Sequence, residues 1–217
     1  MTFKDYQEGL LELDESVWER YAFESEPLKG KISFDKYKGL YQKALVCGKE
    51  ISDEFKSKGI TTPKELSSHL GAKVKDLPLE GNYDKNAFAL FIEPDTIEIF
   101  KDNADECSNL IQKSDEDKLK SVSIYNVLLT HELFHLRTAR DKDLFINQKH
   151  IVLFKLFKWE NKARLQGLEE SAAMAFTRAF LNLEYNPMLL GVLMLYPRAE
   201  KQASKLYNSI QLIKNMV

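Results

Sequence analysis

The stretch Ser121-Val122-Ser123-Ile124-Tyr125-Asn126-Val127-Leu128-Leu129-Thr130-His131-Glu132-Leu133-Phe134-His135-Leu136-Arg137-Thr138-Ala139-Arg140 decides how the rest of the chain is read. It has no Gly or Pro and is apolar on nearly all sides from Val122 to Leu136. A helix of that composition is normally buried as the spine of a domain. Buried spines rarely carry imidazoles and carboxylates without a reason. His131 and His135 lie four residues apart, one helical turn, so their rings project from the same face. Glu132 is turned from His131 by about 100° around the axis.

That spacing is the H-E-x-x-H pattern of zinc peptidases. Two imidazoles one turn apart can reach a single ion at about 2.0–2.1 Å, and a carboxylate elsewhere would supply the third bond. The fourth position is then open to water, whose pKa zinc lowers towards about 7. Glu132 can take the proton of that water and pass it to a leaving amine. The plainer alternative is a helix whose histidines are ordinary core or surface groups.

The bulk properties bound the rest. A chain of 217 residues fits a single domain, and 44% hydrophobic with 29% charged residues is ordinary for a globular protein with a real core. The formal charge of −2 provides no global basic field to recruit nucleic acid. The richest apolar run, Ile151–Phe157, is far too short to span a bilayer. The N-terminus lacks a charged region followed by an apolar one, which points to a cytoplasmic location. Cys47 and Cys107 are not spaced as a metal pair and read as reduced thiols, with a single bridge left open.

Outward from the central helix, periodicity divides the chain. Residues 1–32 read as a helical appendage, with short helices ending near Pro27 and Gly30. Ser33 opens a helix in which Tyr37, Tyr41, Ala44, Ile51 and Phe55 share a face, and Gly59 sits where a cap belongs. Thr62-Pro63-Lys64-Glu65 forms a capping box with Pro at the first helical position, and Gly71 closes that helix. These two helices also allow a DNA-reading arrangement, for which Leu66-Ser67-Ser68-His69 offers few groups to reach base edges. Val74 and Leu77 predict a strand, Gly81-Asn82 a turn, and Ala87–Ile92 with Thr96–Phe100 a hairpin. An edge strand there could accept an extended peptide. A short helix is expected around Ala104–Gln112, and a loop over Asp141–Gln148. Residues 149–166, with Lys149, Lys155, Lys158, Lys162 and Arg164 among Phe154, Phe157 and Trp159, have an interleaving that could touch nucleic acid, but they are read as an amphipathic helix whose lysines cover apolar surface. Pro197–Val217 reads as a final amphipathic helix.

The third ligand is sought in Gly167-Leu168-Glu169-Glu170-Ser171-Ala172-Ala173-Met174-Ala175-Phe176, whose small residues would let this helix approach the central one closely. Either Glu169 or Glu170 can serve, the other orienting a ligand from behind. Both would also suit a helix N-terminus without any metal. Such a site needs a group to stabilise an oxyanion. His150, Tyr125 and Tyr185 are available by type, with His150 and Tyr185 named as candidates.

The pair of motifs, H-E-x-x-H and Glu170-Ser171-Ala172-Ala173-Met174-Ala175-Phe176 as E-x-x-A-x-x-F, resembles the ImmA/IrrE family of gluzincin metallopeptidases. Leu70-Gly71-Ala72-Lys73-Val74 and Ile97-Glu98-Ile99 resemble its upstream helix and hairpin, and the likeness covers roughly residues 35–185. It implies zinc ligands at His131, His135 and Glu170, with Glu132 as base. It also implies a compact α+β fold and cleavage of a cytosolic regulatory protein. The sequence departs from the family at Phe134, where a glycine is usual, and in a longer insertion before Glu170.

The expectation is therefore one domain over 1–217, with a zincin-like core at 33–185 and a C-terminal helical segment at 186–217. It is mostly helical, with a small antiparallel sheet before the active-site helix. The expected function is that of a cytoplasmic endopeptidase using one zinc ion and acting on a protein or peptide, with no membrane partner. Competing readings are a non-cleaving interaction protein on the same scaffold and a DNA-binding stress regulator.

Overall fold

The computed structural model describes residues 1–78, 88–156 and 159–217; the Gly81-Asn82 turn, Ala87, Phe157 and Lys158 lie outside them. The chain opens with two short helices, α1 (Phe3–Leu11) and α2 (Glu15–Ser25). Thr2 starts α1 by a reciprocal capping box, its hydroxyl accepting the Asp5 N–H while the Asp5 carboxylate accepts the Thr2 N–H. Helix α3 (Phe34–Ser57) starts at Ser33 and ends before Gly59, whose φ of 77° suits only a residue without a Cβ. Helix α4 (Pro63–Leu70) has the expected Thr62–Glu65 box, Pro63 at its first position and left-handed Gly71 at its end. Phe55 and Leu66 are buried where α3 and α4 turn inward, so these helices are seated on the body of the domain.

Three strands follow, β1 (Lys73–Leu77), β2 (Ala89–Ile92) and β3 (Thr96–Phe100), and β2 and β3 pair as the expected hairpin. The sheet is mixed, however, not antiparallel throughout. Strand β3 lies between the other two and runs parallel to β1. The strand that takes the centre is the one whose side chains enter the core: Ile97, Ile99 and Phe100 are fully buried, whereas Leu90 and Ile92 of β2 are exposed. Strand β2 is left at an edge.

Helices α5 (Lys101–Gln112) and α6 (Asp117–Lys120) lead to the central helix α7 (Ile124–Ala139). Ser123 caps α7 by accepting the Asn126 N–H. Leu133, Phe134 and Leu136 of α7 are fully buried. The expected loop after α7 ends in a single helical turn, α8 (Phe145–Gln148).

Residues 149–166 do not form the amphipathic helix that their charge pattern allows. They fold as a hairpin of β4 (His150–Leu156) and β5 (Trp159–Arg164), with His150 opposite Arg164 and Ile151 opposite Ala163. Ile151 is buried while its neighbour Val152 is exposed, a period of two. The β-branched pair Ile151-Val152 favours a strand, and the register shift between Val152 and Phe154 marks a bulge.

Helix α9 (Gln166–Leu181) then enters the core. Its small residues serve a different neighbour from the one expected. A Cβ built on Gly48 of α3 would lie 2.2 Å from the Ala172 carbonyl oxygen and 2.9 Å from the Phe176 nitrogen, so α3 and α9 touch backbone to backbone. Helix α10 (Leu190–Lys214) begins earlier than the proline at 197 implied, and the helical path breaks at Ala199 (φ −138°, ψ 50°). Pro197 lacks the N–H that would continue the ladder, and its ring crowds the preceding turn. Cys47 and Cys107 are both buried free thiols. Among the described residues no helix is long and apolar enough to cross a membrane. The whole is mostly helical with one small mixed sheet, an α+β arrangement.

Candidate metal centre

The site forms where the last turns of α7 face the first turn of α9. His131 and His135 turn their rings to one side, with the two Nε2 atoms 3.1 Å apart. Glu170 reaches across from α9, Oε2 at 3.3 Å from His131 Nε2 and Oε1 at 3.5 Å from His135 Nε2. Donors bound at about 2.0–2.1 Å in a tetrahedral shell stand roughly 3.3–3.4 Å from one another. The 3.1 Å between the two imidazole nitrogens lies near that value, and each of them has a different Glu170 oxygen within 3.5 Å. The set of two imidazole nitrogens and one carboxylate therefore fits a small divalent cation, and its ligand atoms all lie within 4.8 Å of one another.

Glu169 contributes from behind. Its Oε1 lies 3.2 Å from His135 Nδ1. A carboxylate can only accept, so Nδ1 carries the proton and, in the neutral ring, the unprotonated Nε2 is the nitrogen turned toward His131 and Glu170. Of the two glutamates the sequence left open, Glu170 lies with the histidine cluster, and Glu169 bonds to the far nitrogen of one ring. His131 has no such support, since its Nδ1 is buried without a hydrogen-bond partner among the described residues.

Charge is concentrated here. Partial burial raises the Glu170 carboxyl, but the hydrogen bond from His131 and the two imidazoles outweigh it and hold the carboxyl at about 2. Glu169 is held below its usual range by the His135 hydrogen bond, against burial. Burial disfavours a charged His135 ring, yet Glu169, Glu170 and Glu132 together raise it above the ordinary imidazole value. In the metal-free chain the proton that these carboxylates favour on His135 offsets part of their charge.

What holds Glu170 in place begins just past the end of α2. Glu26, only 2% exposed, accepts the Gly167 N–H at 2.7 Å on one oxygen and the Leu28 N–H at 3.0 Å on the other. Gly167 is the second residue of α9, so a buried carboxylate caps that helix three residues before Glu170. A Cβ at Gly167 would meet the Tyr37 hydroxyl at 2.5 Å, which leaves glycine alone able to bring the amide this close. On the α7 side, the Phe134 ring packs 5.4 Å from that of Phe176, in the core. Phe134 therefore belongs to the α7–α9 seam and is not among the residues that line the cleft described next.

A cleft of about 940 Å³ lies over the cluster, lined by His131, Glu132, His135, Glu169 and Glu170 together with Ala89, Leu90 and Phe91 of edge strand β2. Glu132 is buried at its base. His150 also lines this cleft, its Nδ1–H donating to the Gln148 carbonyl at 2.9 Å. Tyr185 does not. It is buried in the core, among the described residues its hydroxyl has no partner, and burial pushes that hydroxyl up to about 12. Tyr125 is occupied elsewhere, donating to Asp76 at 2.8 Å. The structure adds Lys142, Asn147 and Arg164 to the cleft, with Arg164 donating to the Asn147 side chain at 2.8 Å. Arg164 reaches the cleft through strand pairing, opposite His150, which no local sequence signal announced. Compared with protein-family models, with curated proteins and with solved structures, the chain matches none of them.

Proposed function

We propose that this protein is a zinc-dependent peptidase whose catalytic base is Glu132. The observation that carries the reading is the convergence of two Nε2 atoms and the Glu170 carboxylate, at mutual distances of 3.1, 3.3 and 3.5 Å, on the floor of a cleft that Glu132 also lines. The resemblance to the ImmA/IrrE family, with its zincin-like core, supports the same conclusion and favours a cytosolic regulatory protein as the target.

Zinc held by His131, His135 and Glu170 would supply Lewis acidity and lower the pKa of water in its open position towards about 7. The chain's own residues do the rest. Glu132 accepts a proton from the attacking water on its carboxylate and delivers it to the departing nitrogen. Glu169 keeps the His135 ring turned and in the tautomer that leaves Nε2 unprotonated. Strand β2 has one unpaired edge, whose main-chain groups can hold an extended peptide across the cleft. His150 and Arg164, paired across the hairpin, bring hydrogen-bond donors to the same cleft for a developing oxyanion.

The test is substitution of the base. Glu132→Gln should retain about one zinc per chain by elemental analysis and lose hydrolysis by roughly 10²–10⁴-fold. Full activity in that variant would remove Glu132 from its role, and a wild-type protein that binds no divalent ion would end the reading.

A further inference from the structure

A second cavity, of about 580 Å³, opens beside the first and shares His131, Glu132 and Glu170 with it. Its chemistry is different. The larger cleft carries Lys142, His150, Arg164 and Glu93. The smaller is lined by Val127 and Leu128 of α7, by Phe88 ahead of β2 and by Met174 of α9. Met188 and Met194 complete it from the C-terminal segment, and Tyr21 and Pro27 from the N-terminal one. Three of the chain's five methionines are therefore gathered at one recess. Methionine is unbranched and polarisable, so a wall of this kind accommodates several apolar shapes.

The recess ends on the groups that would act on the substrate. Residues of an extended chain are spaced roughly 3.3–3.6 Å apart. A side chain entering the recess from a bond held over Glu132 and Glu170 therefore belongs to a residue adjoining that bond. Resting on the peptidase reading, we infer that the substrate carries a bulky apolar side chain, of the Leu, Met or Phe class, next to the scissile bond, seated among Met174, Met188 and Met194. The segments at 21–27 and 187–194, outside the catalytic core, set this preference.

The experiment uses peptides identical except for Leu, Ala or Asp at the residues flanking the bond. Their binding to the zinc-loaded Glu132→Gln protein is read by fluorescence anisotropy and their cleavage by the wild type. Leu should bind and be cleaved at least about tenfold better than Ala, with Asp poorer still. In Met188→Glu the Leu-to-Ala ratio should fall towards one with zinc content unchanged, and Met188→Ala, a gentler change, should lower it part of the way. Equal binding of the three peptides, or binding of none, overturns the inference. Preferential binding of Leu peptides that the zinc-loaded wild type never cleaves overturns the peptidase reading and leaves the apolar recess standing.

Discussion

The two walls of the cleft are built in opposite ways. On one side α9 is packed against α3 until backbones touch, Gly48 lying against Ala172, and against α7 through the tilted rings of Phe134 and Phe176. On the other, the β4–β5 hairpin is a two-stranded ribbon with Val152 46% exposed. The stiff wall carries the groups whose positions must hold to a few tenths of an ångström. The ribbon carries His150 and Arg164, which line the cleft. A two-stranded hairpin has little stability of its own, so precision belongs to the first wall and adaptability to the second.

That contrast can be broken from the stiff side first. His135→Ala removes one of three converging donors, and zinc content should fall from about one ion per chain to well below it; unchanged stoichiometry would remove the ligand assignment. Next in size, Glu169→Ala should weaken zinc binding by roughly 10–100-fold without unfolding the chain, since it deletes only the partner of His135 Nδ1. Competition with a chelator measures this. Gly48→Ala forces a methyl group against the Ala172 carbonyl and should cost about 1–3 kcal/mol, read as a lowered Tm at roughly 2–4 °C per kcal/mol for a chain of this length. Val152→Thr on the ribbon should change stability by less than about 0.5 kcal/mol. A Val152 effect as large as that of Gly48 would erase the distinction between the walls.

Acidity sharpens the same comparison. In the metal-free protein the raised His135 contributes stability that is fully present below the ordinary imidazole value of 6.5 and is lost as pH rises through its higher folded value. Zinc requires the neutral ring, so its binding strengthens over the same range. The rise in Tm on adding zinc should therefore be larger at pH 8 than at pH 6, and a flat or inverted dependence would argue against proton–metal exchange at His135.

The stiff wall was legible in the sequence because local rules govern it. A Ser or Thr three residues before an acceptable partner, a Pro at the first helical position and a Gly past the last turn act over a few residues, and α4 and α7 follow them. His131, His135 and Glu170 were legible because helical spacing fixes side-chain direction, although only coordinates separated Glu170 from Glu169. The ribbon was not legible: lysines interleaved with apolar residues satisfy both a covered helix and a strand, and the choice was made by pairing with residues up to fourteen positions away, as His150 with Arg164. The same holds for β3 inserting beside β1, for the small residues of α9 meeting α3 and for Tyr185 turning into the core. Each depends on a distant partner.

Glu26 ties the N-terminal segment to the candidate site in a way its sequence did not announce. By gripping the Gly167 amide, a residue from the opening segment fixes the end of the helix from which Glu170 projects. Trimming the protein back to Ser33 would therefore not yield a minimal working unit. Such a fragment would keep every ligand in its sequence while losing the tether that aims one of them.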